Sequence, residues 1–92
     1  MSSEPRVLRV SIISPAGIGY EGEAEAMVAP AYDGQLGILY GHAPMMVLLG
    51  EGELRLRDGR SLHRFHVARG FLQVVENEVT VLAEEARPLE GG

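Results

Sequence analysis

The sequence predicts an all-β fold, a sandwich or a barrel built from many short strands. Apolar and polar residues alternate with a period of two along most of the chain, which is typical of strands with one buried and one solvated face. Gly, Pro, Asp and Asn residues interrupt this alternation at short intervals and indicate turns. Only one short segment near the C-terminus has the character of a helix.

The first two predicted strands form a hairpin. Residues 8–12 alternate, Pro15-Ala16-Gly17 supplies a turn, and Tyr20 to Ala26 alternates again. The second strand carries acidic side chains along one side, which we interpret as a solvated face that can protect a sheet edge: Glu21, Glu23 and Glu25.

Within this hairpin, the stretch GIGYEG (residues 17–22) matches the G-x-G-x-x-G pattern of dinucleotide-binding turns. That fingerprint requires a helix directly after its glycines and then a second strand. Pro30 and Gly34 would end such a helix too early. The glycines are better explained as turn and bulge positions, so we expect no nucleotide cofactor.

In the centre of the chain, the sequence pattern predicts two strands separated by a loop. Asp33-Gly34 forms a turn, residues 36–38 a short strand, and residues 41–44 a loop. The apolar run PMMVLLG that follows is either a core strand or a strand from which Met45 or Met46 reaches an exposed patch. An adaptable thioether would suit a protein interface there.

The second half predicts two further hairpins. Asp58-Gly59 lies between ELRLR and RSLHRFHV and is expected to form a type I′ turn with both residues at positive φ. The strands FLQVV and VTVLA flank another tight turn at Glu76-Asn77. LAEEAR (residues 82–87) is the only segment expected to be helical, and Pro88 would stop it.

Composition describes one domain of 92 residues without cysteine, which excludes disulfides and zinc–thiolate sites. The net charge is −5 and all eight cations are scattered arginines, so nucleic acid is not an expected partner because counterion release needs clustered positive charge. Neither a signal peptide nor an apolar run of ~20 residues is visible. We therefore expect a cytoplasmic chain that does not span a bilayer.

The sequence shows no residues that would carry catalysis. His63 and His66 are three positions apart on a predicted strand, so in a strand without a bulge their side chains leave opposite faces and cannot share a metal ion. No nucleophile elbow or acid/base pair is apparent. We expect no catalytic residue, metal or cofactor. A free-standing ligand- or metal-binding module that uses His42 with these two histidines is the alternative.

Several linked motifs resemble one protein family. Residues 20–46, YEGEAEAMVAPAYDGQLGILYGHAPMM, resemble the signature region of the epsilon subunit of F-type ATP synthases, with its acid-Gly-Glu-Leu-Gly-Ile turn and Pro-Gly-His-Ala-Pro loop. Residues 8–22 resemble the opening strand pair of the family, and residues 68–86 resemble its closing hairpin. The resemblance covers residues 7–86 of a single domain, 1–92, and leaves 87–92 as a tail.

The resemblance implies a flattened β-sandwich of about ten short, mostly antiparallel strands at the foot of a central stalk. Such a subunit holds the gamma subunit against the c ring, turns with both, and couples proton flow to ATP synthesis without catalysing a reaction. The implied location is peripheral and complex-bound, at the cytoplasmic face of the bacterial inner membrane. The implied partners are the gamma subunit and the c ring.

The resemblance assigns five positions to two interfaces: Ser14, His42 and Met45 to the gamma subunit, and Asp33 and Gln35 to the c ring. Gln35 replaces the usual glutamate of the family. Its neutral amide can accept a hydrogen bond from an arginine but lacks the negative charge of a carboxylate, which nearby Asp33 would supply. Tyr40 replaces a usual proline, so the backbone entering the His42 loop is expected to be less fixed.

The family also has a C-terminal helical hairpin that this sequence does not show. Pro88 and the final glycines of RPLEGG are poor helix formers. In the family, the hairpin extends along gamma to inhibit ATP hydrolysis, and in some members it binds ATP. Either the natural protein is a short form, or this chain is part of a longer protein that continues past the domain boundary. For a short form, we expect coupling of the rotor without inhibition by extension and without ATP sensing.

Overall fold

The computed structural model describes residues 6–89, and within them the chain forms eight strands. In chain order they are β1 Leu8–Ser14, β2 Gly17–Ala24, β3 Ala26–Ala31, β4 Gly34–Leu39, β5 Met45–Leu48, β6 Gly52–Asp58, β7 Ser61–Val75 and β8 Glu78–Leu89. They form one hydrogen-bonded sheet in the order β2-β1-β8-β7-β6-β3-β4, with β5 paired to β7. Nothing in this range is a helix of the length and apolarity that crossing a membrane would require.

The sheet folds over on itself because β7 and β8 are long enough to serve two layers. Layer one has the order β2-β1-β8-β7-β5 and uses the second half of β7 and the first half of β8. Layer two has the order β8-β7-β6-β3-β4 and uses the other halves. Each layer thus contains five strand segments, which confirms the all-β sandwich and accounts for the expected number of about ten strands. Every pairing is antiparallel except that of β1 with β8.

The bend between the layers lies where Gly70 of β7 pairs with Ala83 of β8. A Cβ atom at Gly70 would lie 1.8 Å from the Leu82 carbonyl oxygen, so any side chain there would push the two strands apart. The neighbouring Arg69 has φ 58, in the left-handed region. The inward-facing positions of β7 shift by one residue across the bend: Phe65 and Val67 before it, Leu72 and Val74 after it.

The space between the layers is filled by apolar side chains alone. Every strand except β5 contributes at least one buried residue, and the described residues include no buried polar or charged side chain. The largest fully buried side chains are Leu8, Ile12, Met27, Ile38, Leu54, Leu56 and Leu72. The predicted alternation of one buried and one solvated face is therefore confirmed in β1 and β6.

The prediction of a helix at LAEEAR is wrong. These residues belong to β8, because residues 85–89 pair with residues 64–68 of β7 and tertiary pairing overrides local propensity. Pro88 is tolerated because this half of β8 is an edge of layer two, and edge strands are where sheets accommodate proline. The domain thus continues to Leu89, beyond the predicted end at 86. Residues 90–92 of the predicted tail lie outside the described residues.

One predicted turn and one predicted strand differ in detail from the structure. The β6–β7 hairpin has Gly59-Arg60 as its central residues, with positive φ (63°) only at Gly59, which makes it type II′ instead of a type I′ turn at Asp58-Gly59. The predicted strand from Tyr20 to Ala26 is interrupted at Glu25, where the chain passes from layer one to layer two.

The glycine-rich stretch GIGYEG forms strand, as predicted. Residues 17–22 lie in β2, paired with β1 through the two-residue connection Pro15-Ala16. The register shifts between Ile12 and Ile13, which leaves Gly19 as a bulge. The chain therefore lacks the helix that a dinucleotide fingerprint requires after its glycines.

Candidate functional site

The loop that carries His42 is held against the β7–β8 turn. Asn77, at φ 67 in that turn, accepts a 2.7 Å hydrogen bond at Oδ1 from the Gly41 N–H. The His42 N–H donates to the Leu39 carbonyl oxygen at 3.1 Å. Tyr40 stands where the family usually has proline, so this backbone was expected to be less fixed. The two hydrogen bonds restrain it instead. Local sequence does not indicate this role of Asn77, because the contact joins residues 36 positions apart.

Ser14 lies at the other end of layer one. It is the last residue of β1, it pairs with Gly17, and its Oγ accepts a 3.3 Å hydrogen bond from the Ala16 N–H. The start of β1 is beside the His42 loop, because the Arg9 N–H donates to the Asn77 carbonyl oxygen at 2.9 Å. Five residues of strand correspond to roughly 17 Å. Ser14 and His42 therefore do not meet but border the same layer from opposite ends.

The two methionines of β5 point in opposite directions. Met45 is half-buried and packs against the core, whereas Met46 is 64% exposed on the outer face of layer one. The exposed patch that the apolar run PMMVLLG suggests is thus formed by Met46, with Met45 beneath it.

The outer face of layer one carries an apolar row that crosses all five strands. The strand registers place Leu48 beside Phe71, Phe71 beside Leu82, Leu82 beside Ile13, and Ile13 beside Ile18. Leu82, Phe71, Leu48 and Ile18 are between 49% and 63% exposed, and Ile13 is half-buried. We call these five residues the apolar row.

Polarity on this face increases along the strands away from the apolar row. The next aligned positions are Met46, Gln73, Thr80, Ser11 and Glu21, and the positions after those are Val75, Glu78, Arg9 and Glu23. The last positions thus carry two carboxylates around one arginine, and a third carboxylate, Glu21, lies in the positions before them. We call this group the acidic border: Glu21, Glu23, Glu78 and Arg9.

Asp33 and Gln35 lie at a different corner, on the β3–β4 hairpin. Both are exposed, and the Tyr32 N–H beside them donates to the Leu48 carbonyl oxygen at 3.0 Å, which ties the hairpin to β5. Gln35 borders a shallow hollow that Glu51 also lines, and the Glu51 side chain is 68% exposed. Glu51 is a second candidate for the carboxylate that Gln35 lacks. The sequence did not indicate it, because it approaches from the β5–β6 connection.

The outer face of layer two is occupied by ion pairs. Glu53 accepts two hydrogen bonds from Arg64, from Nε at 2.9 Å and from Nη2 at 3.1 Å. Hydrogen bonding to Arg64, with a smaller effect of its charge, lowers the pKa of Glu53. His66 Nε2 lies 3.4 Å from a Glu51 carboxylate oxygen and 3.5 Å from one of Glu85. On this face the Glu53 carboxylate is therefore neutralised by the Arg64 guanidinium of the neighbouring strand.

The histidines do not form a common site. His63 faces inward against Tyr20, with ring centroids 5.2 Å apart, whereas His66 lies on the outer face, as the sequence predicts. Burial, with a smaller effect of the Asp58 carboxylate, raises the pKa of Tyr20. Between residues 6 and 89, no three His, Cys, Asp or Glu side chains are grouped so as to hold a metal ion.

Similar proteins share this sequence pattern. Residues 7–89 match the family model described as ATP synthase, Delta/Epsilon chain, beta-sandwich domain. The ATP synthase epsilon chain of Leptospira borgpetersenii is 43% identical over 77 residues, which are 84% of this chain and 61% of the relative. That of Anoxybacillus flavithermus is 39% identical over 85 residues, 92% of this chain and 63% of the relative. The chain thus spans about three fifths of the length of these curated relatives.

Solved structures share the fold. A chain of the Euglena gracilis mitochondrial ATP synthase, in a cryo-EM structure of OSCP/F1/c-ring, matches with a TM-score of 0.84 at 20% identity, over 95% of this chain and 56% of that one. A chain of the Tetrahymena thermophila mitochondrial ATP synthase central stalk/c-ring matches with a TM-score of 0.72 at 15% identity, over 92% of this chain and 68% of that one. The match to the family model covers nearly all of the described residues, and this chain belongs to the ATP synthase delta/epsilon-chain β-sandwich family.

Proposed function

We propose that this chain is a non-catalytic subunit of the central stalk of a rotary ATP synthase, where it links the gamma subunit to the c ring. The observation that carries the proposal is the family match over residues 7–89, supported by relatives named ATP synthase epsilon chain. In this role the chain couples proton flow to ATP synthesis by transmitting torque. It is peripheral at the cytoplasmic face of the bacterial inner membrane and held there by the complex.

The fold suits a part that transmits torque. The two layers share β7 and β8, so a force applied to one layer passes into the other through continuous hydrogen-bonded strands. The core holds no buried polar side chain among the described residues, and close packing gives protein interiors low compressibility. A stiff body with separate interfaces at different corners is what such coupling requires.

The proposed interfaces lie at separate places on this body. Ser14 and the His42 loop, which Asn77 holds and the half-buried Met45 follows at the start of β5, form the gamma-facing side. Asp33 and Gln35 form the c-ring-facing corner: Glu51 lines the same hollow as Gln35 and adds a carboxylate for a charge-assisted hydrogen bond to an arginine.

Residues 6–89 consist of strands and turns and include no helical hairpin that could extend along gamma and inhibit ATP hydrolysis. We infer that this sandwich couples the rotor without slowing ATP hydrolysis and without sensing ATP. The test adds the chain at a 1:1 ratio to the cognate catalytic complex depleted of its own epsilon chain, and then measures ATP hydrolysis. An unchanged rate is expected, and a marked decrease would contradict this inference.

Association with the cognate gamma subunit tests the proposed function. Calorimetry should show tight binding that His42→Ala weakens by about 1 kcal/mol or more, as for an interface residue of high contribution. His66→Ala, on the outer face of layer two, is the matched control and should bind like the wild type. Unchanged binding by His42→Ala would overturn that residue's role. No binding by a folded wild-type chain would overturn the function and favour a ligand-binding module.

A further inference from the structure

Among the described residues, the sandwich has four sheet edges, and three of them carry features that discourage pairing with another strand. β2 has Glu21 and Glu23 along its length and a bulge at Gly19. β5 is only four residues long, and the half of β8 that borders layer two contains Pro88. Charges, bulges, short strands and prolines are the usual devices that keep sheet edges apart. These three edges are therefore protected.

β4 is the fourth edge and has none of these features. Its six residues, Gly34–Leu39, include no charged residue and no proline, and its pairing with β3 runs without a shift in register. Within the range 6–89, β3 is the one strand that pairs with β4. An uncharged, regular edge of this kind is available to a further strand.

The backbone of β4 directs hydrogen-bonding groups toward its open side. In a hairpin with a two-residue connection the first pair of residues is hydrogen-bonded, and non-hydrogen-bonded and hydrogen-bonded pairs then alternate. The Pro30 carbonyl oxygen agrees with this alternation, because it accepts a 2.8 Å hydrogen bond from the Gly50 N–H instead of one from β4. The exposed residues Gln35 and Gly37 therefore point both their N–H and C=O groups away from β3.

On the inner side, β4 is complementary to an antiparallel copy of itself. When Gly37 of one copy faces Gly37 of the second copy, the two exchange both N–H···O=C bonds. Leu36 of each copy then aligns with Ile38 of the other. Both side chains point into the core, so the pairing joins the apolar cores of the two sandwiches.

The same register places a large side chain opposite a smaller residue at both ends of β4. Leu39, which is 62% exposed although it is apolar, aligns with Gln35 of the second copy. Tyr40 aligns with Gly34, where a Cβ atom would have no neighbour within 4 Å. An aromatic side chain across from an edge glycine covers the backbone that the glycine leaves exposed.

We propose that two copies of this chain associate through β4, which pairs antiparallel with itself around a two-fold axis at Gly37. Such a contact is isologous and closes as a dimer. An uncharged edge offers no attraction to a charged partner strand, whereas it lets two copies of net charge −5 approach. Six residues of strand make a small interface, so the expected Kd is about 100 µM.

This inference goes beyond the proposed function and does not depend on it. Gln35 lies on the pairing edge, so the dimer covers the corner that we propose for the c ring. Self-pairing and contact with the c ring therefore exclude each other. The dimer is a form of the chain outside the complex, in which the open edge is protected until assembly.

Sedimentation velocity from about 10 µM to about 1 mM tests the proposal with two variants of one residue. Gly37→Pro removes the central N–H donor and should weaken dimerisation at least about 10-fold, while an edge strand tolerates the proline. Gly37→Ala keeps both backbone groups, its added Cβ meets no atom within 4 Å, and it should dimerise like the wild type. Thermal melting by circular dichroism checks that both variants are folded.

A second pair of variants leaves the backbone unchanged and decides the question if Gly37→Pro does not fold. Leu39→Lys places a charge on the pairing edge and should weaken dimerisation about fivefold. Leu62→Lys makes the same change at an exposed leucine of β7 and should leave dimerisation unchanged. In the wild type, exchange of the Gly37 amide measured by NMR should slow about threefold between about 50 µM and about 1 mM.

Three results would overturn the proposal. One is a wild-type chain that remains monomeric at about 1 mM. Another is a dimer that Leu82→Thr dissociates and Leu39→Lys leaves intact, which would place the contact on the apolar row. The third is slower exchange of the Gly37 amide in a monomeric chain only when the gamma subunit is added, which would identify gamma as the occupant of this edge.

Discussion

The two outer faces of the sandwich differ in what their exposed side chains contact. Layer one exposes the apolar row, whereas layer two pairs Glu53 with Arg64 and places His66 between two carboxylates. The inward positions of both layers are equally apolar, because both fill the same core. The outward side chains do not have to fill the core, so the difference between the two outer faces reflects what each face contacts outside the domain.

Breaking the bend that both layers share should have the largest effect. Gly70→Ala would place a Cβ atom 1.8 Å from a backbone oxygen of β8, so we expect the free energy of unfolding to fall by about 3 kcal/mol. Gly37→Ala, in the edge strand β4 with no atom within 4 Å of the added Cβ, should change it by less than about 1 kcal/mol. Urea unfolding measures both free-energy changes, and equal changes would contradict a close approach of β7 and β8 at Gly70.

Neighbouring residues of β8 should separate the inner from the outer side of layer one. Val81 is fully buried, so Val81→Thr buries a hydroxyl group and should lower the free energy of unfolding by about 1–3 kcal/mol. Leu82 is 49% exposed, so Leu82→Thr should change it by no more than about 0.5 kcal/mol. The midpoints of urea unfolding provide the measurement. A larger loss of unfolding free energy for Leu82→Thr would show that the apolar row stabilises the fold and is not reserved for contact with a partner.

Asn77 should control order at the end of layer one that carries His42. Asn77→Gly tolerates positive φ but removes the hydrogen-bond acceptor of the Gly41 N–H, which should cost about 1 kcal/mol and accelerate exchange of that amide about fivefold. Hydrogen exchange followed by NMR measures this rate. Asn77→Asp keeps an acceptor oxygen and should exchange within about twofold of the wild type. Equal acceleration in both variants would show that the contact does not hold the loop.

The ion pair on layer two should have the smallest effect, visible mainly in its pH dependence. Because Arg64 lowers the pKa of Glu53 in the folded state, the pair stabilises the protein above the unfolded pKa of glutamate. This contribution is lost as the pH falls through the lowered folded pKa. The Tm difference between wild type and Glu53→Gln should therefore be present at neutral pH and vanish in strong acid. A difference that persists there would contradict the assignment.

Alternation and turn residues were sufficient to predict most of the strands. The inward faces of β1 and β6 follow directly from their period-two patterns, and Glu76-Asn77 forms the predicted turn with both residues at positive φ. Local sequence did not distinguish the bend at Gly70 from a turn, because only the pairing of β7 with β8 keeps the strand continuous. The same pairing, absent from local sequence, makes LAEEAR a strand.

Sequence motifs indicated only some residues of each candidate site. The GHAP loop identified His42, but its anchor Asn77 and the carboxylate of Glu51 come from distant parts of the chain. A shift of one residue in strand register exchanges the two faces, so the sequence could not decide between Met45 and Met46. The apolar row depends on the registers of four strand pairs at once, which no local pattern contains.

Binding of gamma to the outer face of layer one, which Ser14 and His42 border, can be tested most directly with single thiols, because the chain contains no cysteine. Leu82→Cys places one on the apolar row, and Leu62→Cys places one on the outer face of layer two. Alkylation by N-ethylmaleimide is followed by mass spectrometry with and without the gamma subunit at about ten times its Kd. We predict that gamma slows alkylation of Leu82→Cys about 10-fold and leaves Leu62→Cys unchanged. Slowing at Leu62→Cys alone would place the partner on layer two and contradict the account.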